Sequence, residues 1–253
     1  MKRRYYLLTA ILAYLTFTLA KFPAQPIVTL INDNTTATLS GVSGSIWDGH
    51  ARSIDVEGVR LSDTHWNMKA WKLLIGRAAL DIDTRLEDEA ITGEIGASLT
   101  GTVFANTLSG RVSAQTVTQL ANIPMAQLSG MIDIAVEHIS WSQGELPEVD
   151  GRLVWKDASV TVAETASLGD VSIVITQQDD SLRANVNNDG GDIELKGDAS
   201  LNPAAEYEAN IRLKPTASAS QNLRRSLGLF AEPQGDGAYL LKNSGSLKQL
   251  GLI

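Results

Sequence analysis

The side chains best suited to acid–base or metal chemistry in this sequence are three histidines, His50, His65 and His138. A neutral imidazole can take a proton or ligate a transition metal, but either role needs partners. None of the three has a second histidine or a carboxylate at helical spacing to complete a ligand pair. His138 continues the alternation of Ile132, Ile134 and Val136 and reads as a structural, strand-end histidine, while His50 and His65 are expected in a loop and on a strand edge. The run Asn187-Asn188-Asp189-Gly190-Gly191-Asp192 offers oxygens to calcium, yet it lacks the closing glutamate of an EF-hand loop and reads as a hairpin turn. Asp81 and Asp83 share a strand face, as carboxylate pairs do on any wet sheet. There is no Gly-x-Ser-x-Gly elbow, phosphate-binding glycine loop, dinucleotide fingerprint or cysteine. A non-enzymatic protein is expected, with no catalytic residues, no cofactor and no metal site.

Charge narrows the partners. The net charge is −8, but Lys2, Arg3, Arg4 and Lys21 cluster at one end, and setting these four aside leaves 17 basic residues against 29 acidic ones, a net −12. A phosphate backbone needs a basic stripe, so nucleic acid is excluded as a partner. Asp81, Asp83, Glu87, Asp88, Glu89 and Glu94 face only Arg85 in their stretch, which reads as a solvated strand face and turn. Hydrophobic residues make up 43% of the 253, enough for an ordinary globular core.

Between Arg4 and Lys21 lie sixteen residues without charge. As a helix they cover about 24 Å, short of the roughly 30 Å hydrocarbon core, so the flanking basic side chains must snorkel to the interfaces. We expect an uncleaved transmembrane anchor over residues 1–21, with Tyr5, Leu8, Ile11, Leu12, Leu15, Phe17 and Leu19 facing lipid. The basic triplet before the segment places the N-terminus in the cytoplasm and the remainder in the periplasm. The alternative is a cleavable signal peptide; Thr18-Leu19-Ala20 before Lys21 is a poor version of its small-x-small site.

Residues 22–253 must be held together by strands. From Ile27 onward the dominant apolar period is two: Leu80, Ile82 and Leu86 alternate with Asp81, Asp83 and Arg85, and Val171, Ile173 and Ile175 alternate likewise. Further strands are expected at Val149–Trp155, Ser159–Val162, Leu182–Val186, Asp192–Leu201 and Tyr207–Leu213, joined by turn-rich gaps into an antiparallel meander. Thr116–Ala121 and Ser218–Leu229 break the pattern as short helices. Gly44-Ser45-Ile46-Trp47 returns as Gly151-Arg152-Leu153-Val154-Trp155, and Leu80–Leu86, Gly93–Leu99, Gly110–Ala114 and Gly130–Val136 return as Val171–Thr176, Gly191–Leu201, Tyr207–Leu213 and Gly235–Leu241. This is an internal repeat with a period a little over one hundred residues, about 44–139 and 151–253. The fold expected is mainly β: an N-terminal transmembrane helix, then an elongated antiparallel sheet of two similar halves, each with a short helix. Recurrence of Trp47 and Trp155 at equivalent places favours packing over a carbohydrate platform.

Several motifs also resemble a known family. Gly41-Val42-Ser43-Gly44-Ser45-Ile46-Trp47-Asp48-Gly49, the central Gly144-Glu145-Leu146-Pro147-Glu148-Val149-Asp150-Gly151-Arg152-Leu153-Val154-Trp155 and the closing Gly235-Asp236-Gly237-Ala238-Tyr239-Leu240 are similar to those of the type II secretion system protein N family, as are the basic start and single N-terminal helix. Gly44, Trp47, Pro147, Gly151 and Trp155 are the structural motif residues of this match. The resemblance implies an accessory inner-membrane component of the machine that moves folded proteins from the periplasm across the outer membrane, with other components of that machine and inner-membrane lipid as partners. It implies no catalytic residues. Exposed β edges and acidic faces would make its contacts. The alternative is a periplasmic β-groove that binds or transfers lipid or another hydrophobic ligand.

Overall fold

A computed structural model of the chain describes residues 21–246 except 57, 121–125 and 163, together with 14, 17 and 18. The chain forms two compact units that divide between Gly96 and Ala97. The first contains helix α1 (Gln25–Asn34), strands β1 (Ala37–Ser40), β2 (Ser43–Gly44), β3 (Asp48–Val56) and β4 (Val59–Met68), a single helical turn α2 (Ala70–Leu73), β5 (Arg77–Leu86) and β6 (Glu89–Ser98), whose last residues cross the division. The second contains β7 (Val103–Ser113), α3 (Ala114–Leu120), β8 (Gln127–Trp141), β9 (Glu148–Thr161), β10 (Thr165–Gln178), β11 (Ser181–Asp189), β12 (Ile193–Leu201), β13 (Glu206–Pro215), α4 (Gln221–Phe230), β14 (Glu232–Pro233) and β15 (Tyr239–Ser246). Strand order is β1-β3-β4-β5-β6 in the first unit, with β2 on β3, and β7 through β13, then β15 and β14, in the second. The protein is thus mainly β and antiparallel, the meander that period-two patterning and turn-rich gaps predict.

The alternation is not uniform, because bulges reset it. In β10 the inward residues are Ala166 and Leu168, then Val171 and Ile173: the phase passes from even to odd. Register with β9 shifts at Gly169, whose backbone takes a φ of +67°. One extra residue in one strand turns every later side chain to the other face, so the shift keeps all four on one core. β9 makes the matching change at Asp157, from Trp155 to Ala158 and Val160. Ile193, Ala219 and Leu223 complete this core of the second unit. The first unit packs smaller side chains: Ala51, Ala79, Thr64 and Thr84 are buried, with the two threonine hydroxyls 2.7 Å apart.

Both expected short helices are present, and each is started by a serine. Ser113 Oγ accepts from the Thr116 N–H and Ser220 Oγ from the Leu223 N–H, which satisfies a donor that the first turn leaves bare. Element order recurs as well: five strands, a helix and a strand from β3 to β8, and again from β9 to β15, with α2 and the two-residue β14 as additions. The compact units divide within the first of these series, not at their junction. By this order Leu80–Leu86 in β5 stands with β11, whereas the repeat read from sequence matched it to Val171–Thr176 in β10.

Other expectations need correction. Ile27 does not begin the β pattern, because Gln25–Asn34 is helical; Pro26 opens the helix, and Ile27, Leu30 and Ile31 fall at helical spacing. Ser159–Val162 is not a separate strand; residues through Thr161 continue β9 past its bulge. Among the described residues no helix is long and apolar enough to cross a membrane. The proposed anchor's Tyr5, Leu8, Ile11, Leu12, Leu15 and Leu19 lie outside the described residues. Tyr14, Phe17 and Thr18 are helical; Thr18 Oγ1 donates to the Tyr14 carbonyl at 2.8 Å and the Lys21 N–H to the Phe17 carbonyl at 3.0 Å.

Candidate functional site

The residues singled out from sequence sit at turns, a strand start and packing contacts. Gly44 has a φ of +88°, and a Cβ there would lie 2.6 Å from the Asp48 carbonyl oxygen. Trp47 is half-buried in the bend before β3, and its carbonyl accepts from the Met68 N–H at 2.7 Å. Pro147 immediately precedes β9, a place where its missing N–H is harmless. Gly151 pairs with Val136, whose Cγ2 would touch an added Cβ at 3.0 Å. Trp155, also half-buried, packs on the core of the second unit while its indole N–H donates to the Ser129 carbonyl at 2.9 Å. Trp66 is held in a similar way: its N–H donates to the Ser45 carbonyl at 3.3 Å, and its ring lies over Gly49.

The histidines are better placed than their spacing suggested. His50 lies in β3, not in a loop, directly opposite His65 in β4, with ring centroids 4.5 Å apart. His50 Nε2 is 3.8 Å from Asp63, where β4 carries a positive φ. His138 Nδ1 is hydrogen-bonded to Asn106 Oδ1 at 2.7 Å. No group of three or more metal-ligating side chains forms among the described residues. Side-chain oxygens of two residues in the Asn187–Asp192 run are already engaged: Asn188 accepts from Leu195 N–H at 2.7 Å, and Asp192 accepts from Ser167 N–H and from Ser218 Oγ.

Three surface features stand out. One is an ion cluster in the first unit. Glu94, from the stretch read as solvated, has its side chain only 6% exposed, and both Lys69 and Lys72 donate to it at 2.6–2.7 Å. Asp81 takes a further bond from Lys69 at 2.8 Å, and this carboxylate, then Glu94, holds the Lys69 ammonium above its ordinary value. Lys69 precedes α2 and Lys72 lies within it, and in this helical turn and the residues after it Trp71, Leu73, Leu74 and Ile75 are exposed. Sequence reasoning passed over this run, although Trp71 followed by the consecutive Leu73-Leu74-Ile75, too short for a core helix, was its signal.

A second feature is an apolar groove of about 320 Å³ in the second unit, between α4 and the face of β9, β10, β12 and β13. Val160, Leu168, Leu195, Leu213 and Leu227 line it, and Leu229 and Val162 stand exposed at its rim. The third is the outer edge of β15. The two-residue β14 covers only Tyr239 and Leu240, leaving Leu241–Ser246 with no strand beyond them among the described residues. By contrast β1 is closed by its own helix, since the Asn32 side chain accepts from Leu39 N–H at 2.8 Å and donates to Leu39 O at 3.2 Å.

Comparison with known proteins places these features in context. A family model described as type II secretion system (T2SS), protein N matches residues 36–242. A protein named type II secretion system protein N from Vibrio cholerae serotype O1 (strain ATCC 39315 / El Tor Inaba N16961) is 26% identical over 216 residues, covering 83% of this chain and 84% of its own length. One of the same name from Aeromonas hydrophila is 26% identical over 245 residues, covering 94% and 96%. No solved structure matches with significance.

Proposed function

Because the chain belongs to the type II secretion system protein N family, we propose that it serves the secretion machinery as an accessory interaction component, carrying out no catalytic step of its own. In this reading the segment through Lys21 is kept as a single inner-membrane anchor with its N-terminus in the cytoplasm, and residues 22–253 stand in the periplasm. The basic triplet Lys2, Arg3 and Arg4 and the sixteen uncharged residues after Arg4 support it. So do Tyr14 and Phe17, helical aromatic side chains more than half exposed.

The observation that carries the interaction role is the open side of β15. Six residues of strand are about 20 Å, room for a partner strand to make several backbone hydrogen bonds. Placing a photo-crosslinking residue at Asn243 of the full chain, in cells that make the secretion machinery, is expected to trap another secretion component, and the same probe at Arg60 is not. Equal crosslinking at both positions, or none at Asn243, removes the edge from consideration. N-terminal sequencing tests the anchor separately: a mature start at Lys21 or Gln25 means the segment is cleaved.

A second reading is favoured by the groove beneath α4. Its volume is at the lower end of ligand sites and its lining is mostly aliphatic, which suits one acyl chain or a short apolar segment. Lipid co-purifying with the full chain and lost on Leu213→Glu supports this reading. Crosslinks to secretion components without bound lipid support the first.

A further inference from the structure

We infer that the knob formed by residues 70–76 is a second membrane contact, which dips into the periplasmic leaflet of the bilayer beside the point where the N-terminal segment emerges. The inference rests on the anchored reading above. Its first ground is apolar exposure concentrated in one short run: Trp71 is 61% exposed, Leu73 42%, Leu74 89% and Ile75 61%. Four large apolar side chains held in water within five residues are unusual for a surface turn and mark a contact site.

The second ground is where the knob sits. Coming from the uncharged segment, Phe22 accepts a hydrogen bond from Ile46 N–H and Pro23 bridges Ser45. Two residues on, the Trp47 carbonyl takes the Met68 N–H, and Met68 leads directly through Lys69 into the knob. The chain that leaves the bilayer and the knob are therefore fastened to the same end of β3 and β4. The β3–β4 turn, near Arg60, is the opposite end, about 25 Å away.

The third ground is that much of the knob's backbone is already hydrogen-bonded within the turn. Lys72 N–H donates to Lys69 O, Leu74 to Trp71 O, Ile75 to Lys72 O and Gly76 to Leu73 O, at 2.9–3.2 Å. Gly76 ends the turn at a φ of +73°. Unpaired backbone groups are what normally bar a loop from lipid, and here these four N–H groups are used internally. The lysine stems run back to Glu94, so the charges stay at the sheet while the apolar side chains project, and the Lys72 ammonium lies 5.6 Å from the Trp71 ring centre. An indole beside a cation is the pairing found at membrane interfaces. A protein partner would also cover Leu and Trp, but it would not explain why the knob shares its end of the sheet with the emerging chain.

The full chain has no cysteine, so Leu74→Cys gives a single labelling position at a side chain that packs on nothing. Labelled with an environment-sensitive fluorophore and reconstituted in nanodiscs of phosphatidylethanolamine and phosphatidylglycerol, it is expected to be quenched by shallow spin-labelled lipid at least about twofold more than the same label at Arg60→Cys, since an interfacial element sits ~5–10 Å into the headgroup boundary. A chain that stays with the nanodisc while the Leu74 label is quenched no more than the Arg60 label overturns the inference and leaves the anchor standing. A chain that elutes apart from the lipid overturns both. A Leu74 label shielded only in native membranes, by a protein crosslink, assigns the knob to a protein partner and overturns the lipid contact.

Discussion

Replacing Trp155 by alanine separates a brace from a binding surface. The indole packs against Val171, Ala158 and their neighbours in the second unit's core, and its N–H holds the Ser129 carbonyl at 2.9 Å. Truncating a large aromatic side chain in a core costs about 3–5 kcal/mol, and because Trp155 is half-buried the low end applies, about 3 kcal/mol. The hydrogen bond is about 1 kcal/mol of that, so Trp155→Phe, which keeps a ring and loses the donor, costs about 1 kcal/mol. At ~2–4 °C per kcal/mol for a unit of this size, alanine lowers the melting temperature by about 6–12 °C and phenylalanine by about 2–4 °C. Thermal unfolding of the purified full chain, followed by far-ultraviolet circular dichroism, measures both. The reasoning fails if Trp155→Ala melts with the parent protein but loses its crosslinks to secretion components, for then the indole is a contact and not a brace.

Four further outcomes follow from the geometry. Glu94→Gln leaves Lys69 and Lys72 without their shared carboxylate; since Lys69 keeps Asp81 and both ammonium groups are partly wet, we expect about 2 kcal/mol of destabilisation in urea and faster tryptic cleavage at Lys72. Asp133 is held below the ordinary carboxylate range, first by Lys156 and then by Arg111. A depressed folded value stabilises above the unfolded one and is lost as pH falls through the folded value, so Asp133→Asn should flatten the loss of stability below about pH 4. Gly49→Ala puts a methyl group 2.3 Å from the Trp66 ring and 2.8 Å from the Ser45 oxygen, and is expected to cost about 1–3 kcal/mol in thermal unfolding. Alanine at His50, His65 or His138 singly should leave secretion intact; a histidine whose loss abolishes secretion with unchanged melting and crosslinks reveals a chemical site.

What was legible in the sequence was whatever local pattern determines. Leu80, Ile82 and Leu86 alternate with charged residues because one face of an antiparallel sheet is wet, and the structure leaves them half-buried beside exposed Asp81, Asp83 and Arg85. The two short helices announce themselves by losing that period, each after a serine. The rest depends on partners far along the chain. His50 and His65 meet because the β3–β4 turn fixes the register, and helical spacing cannot reveal a cross-strand neighbour fifteen residues away. Glu94 reads as one more acid in an acidic stretch; its burial is set by lysines 22 and 25 residues distant. The Gly169 bulge hides itself, since Ala166 and Leu168 belong to one face by parity and Val171 and Ile173 to the other, until an extra residue brings them together.

The two serine-capped helices bear on the groove itself. Both follow a strand of the second unit, both start from a serine N-cap, and each lies beside a cavity of similar size. The space beside α3, about 280 Å³, is lined by Gln115, Thr118, Gln119, Gln127 and Leu128. That beside α4 is lined instead by aliphatic side chains from four strands and the helix. Among the described residues, the space beside α3 has one aliphatic side chain in its lining, Leu128. Part of the α4 lining also serves the core, where Leu168, Ile193 and Leu223 are buried, whereas Leu229 is left 80% exposed at the rim. Aliphatic surface left open at the rim is costly in water, where each exposed apolar Å² forgoes about 25 cal/mol. This supports the proposed apolar occupant, and the groove beside α4 is the place to look for it.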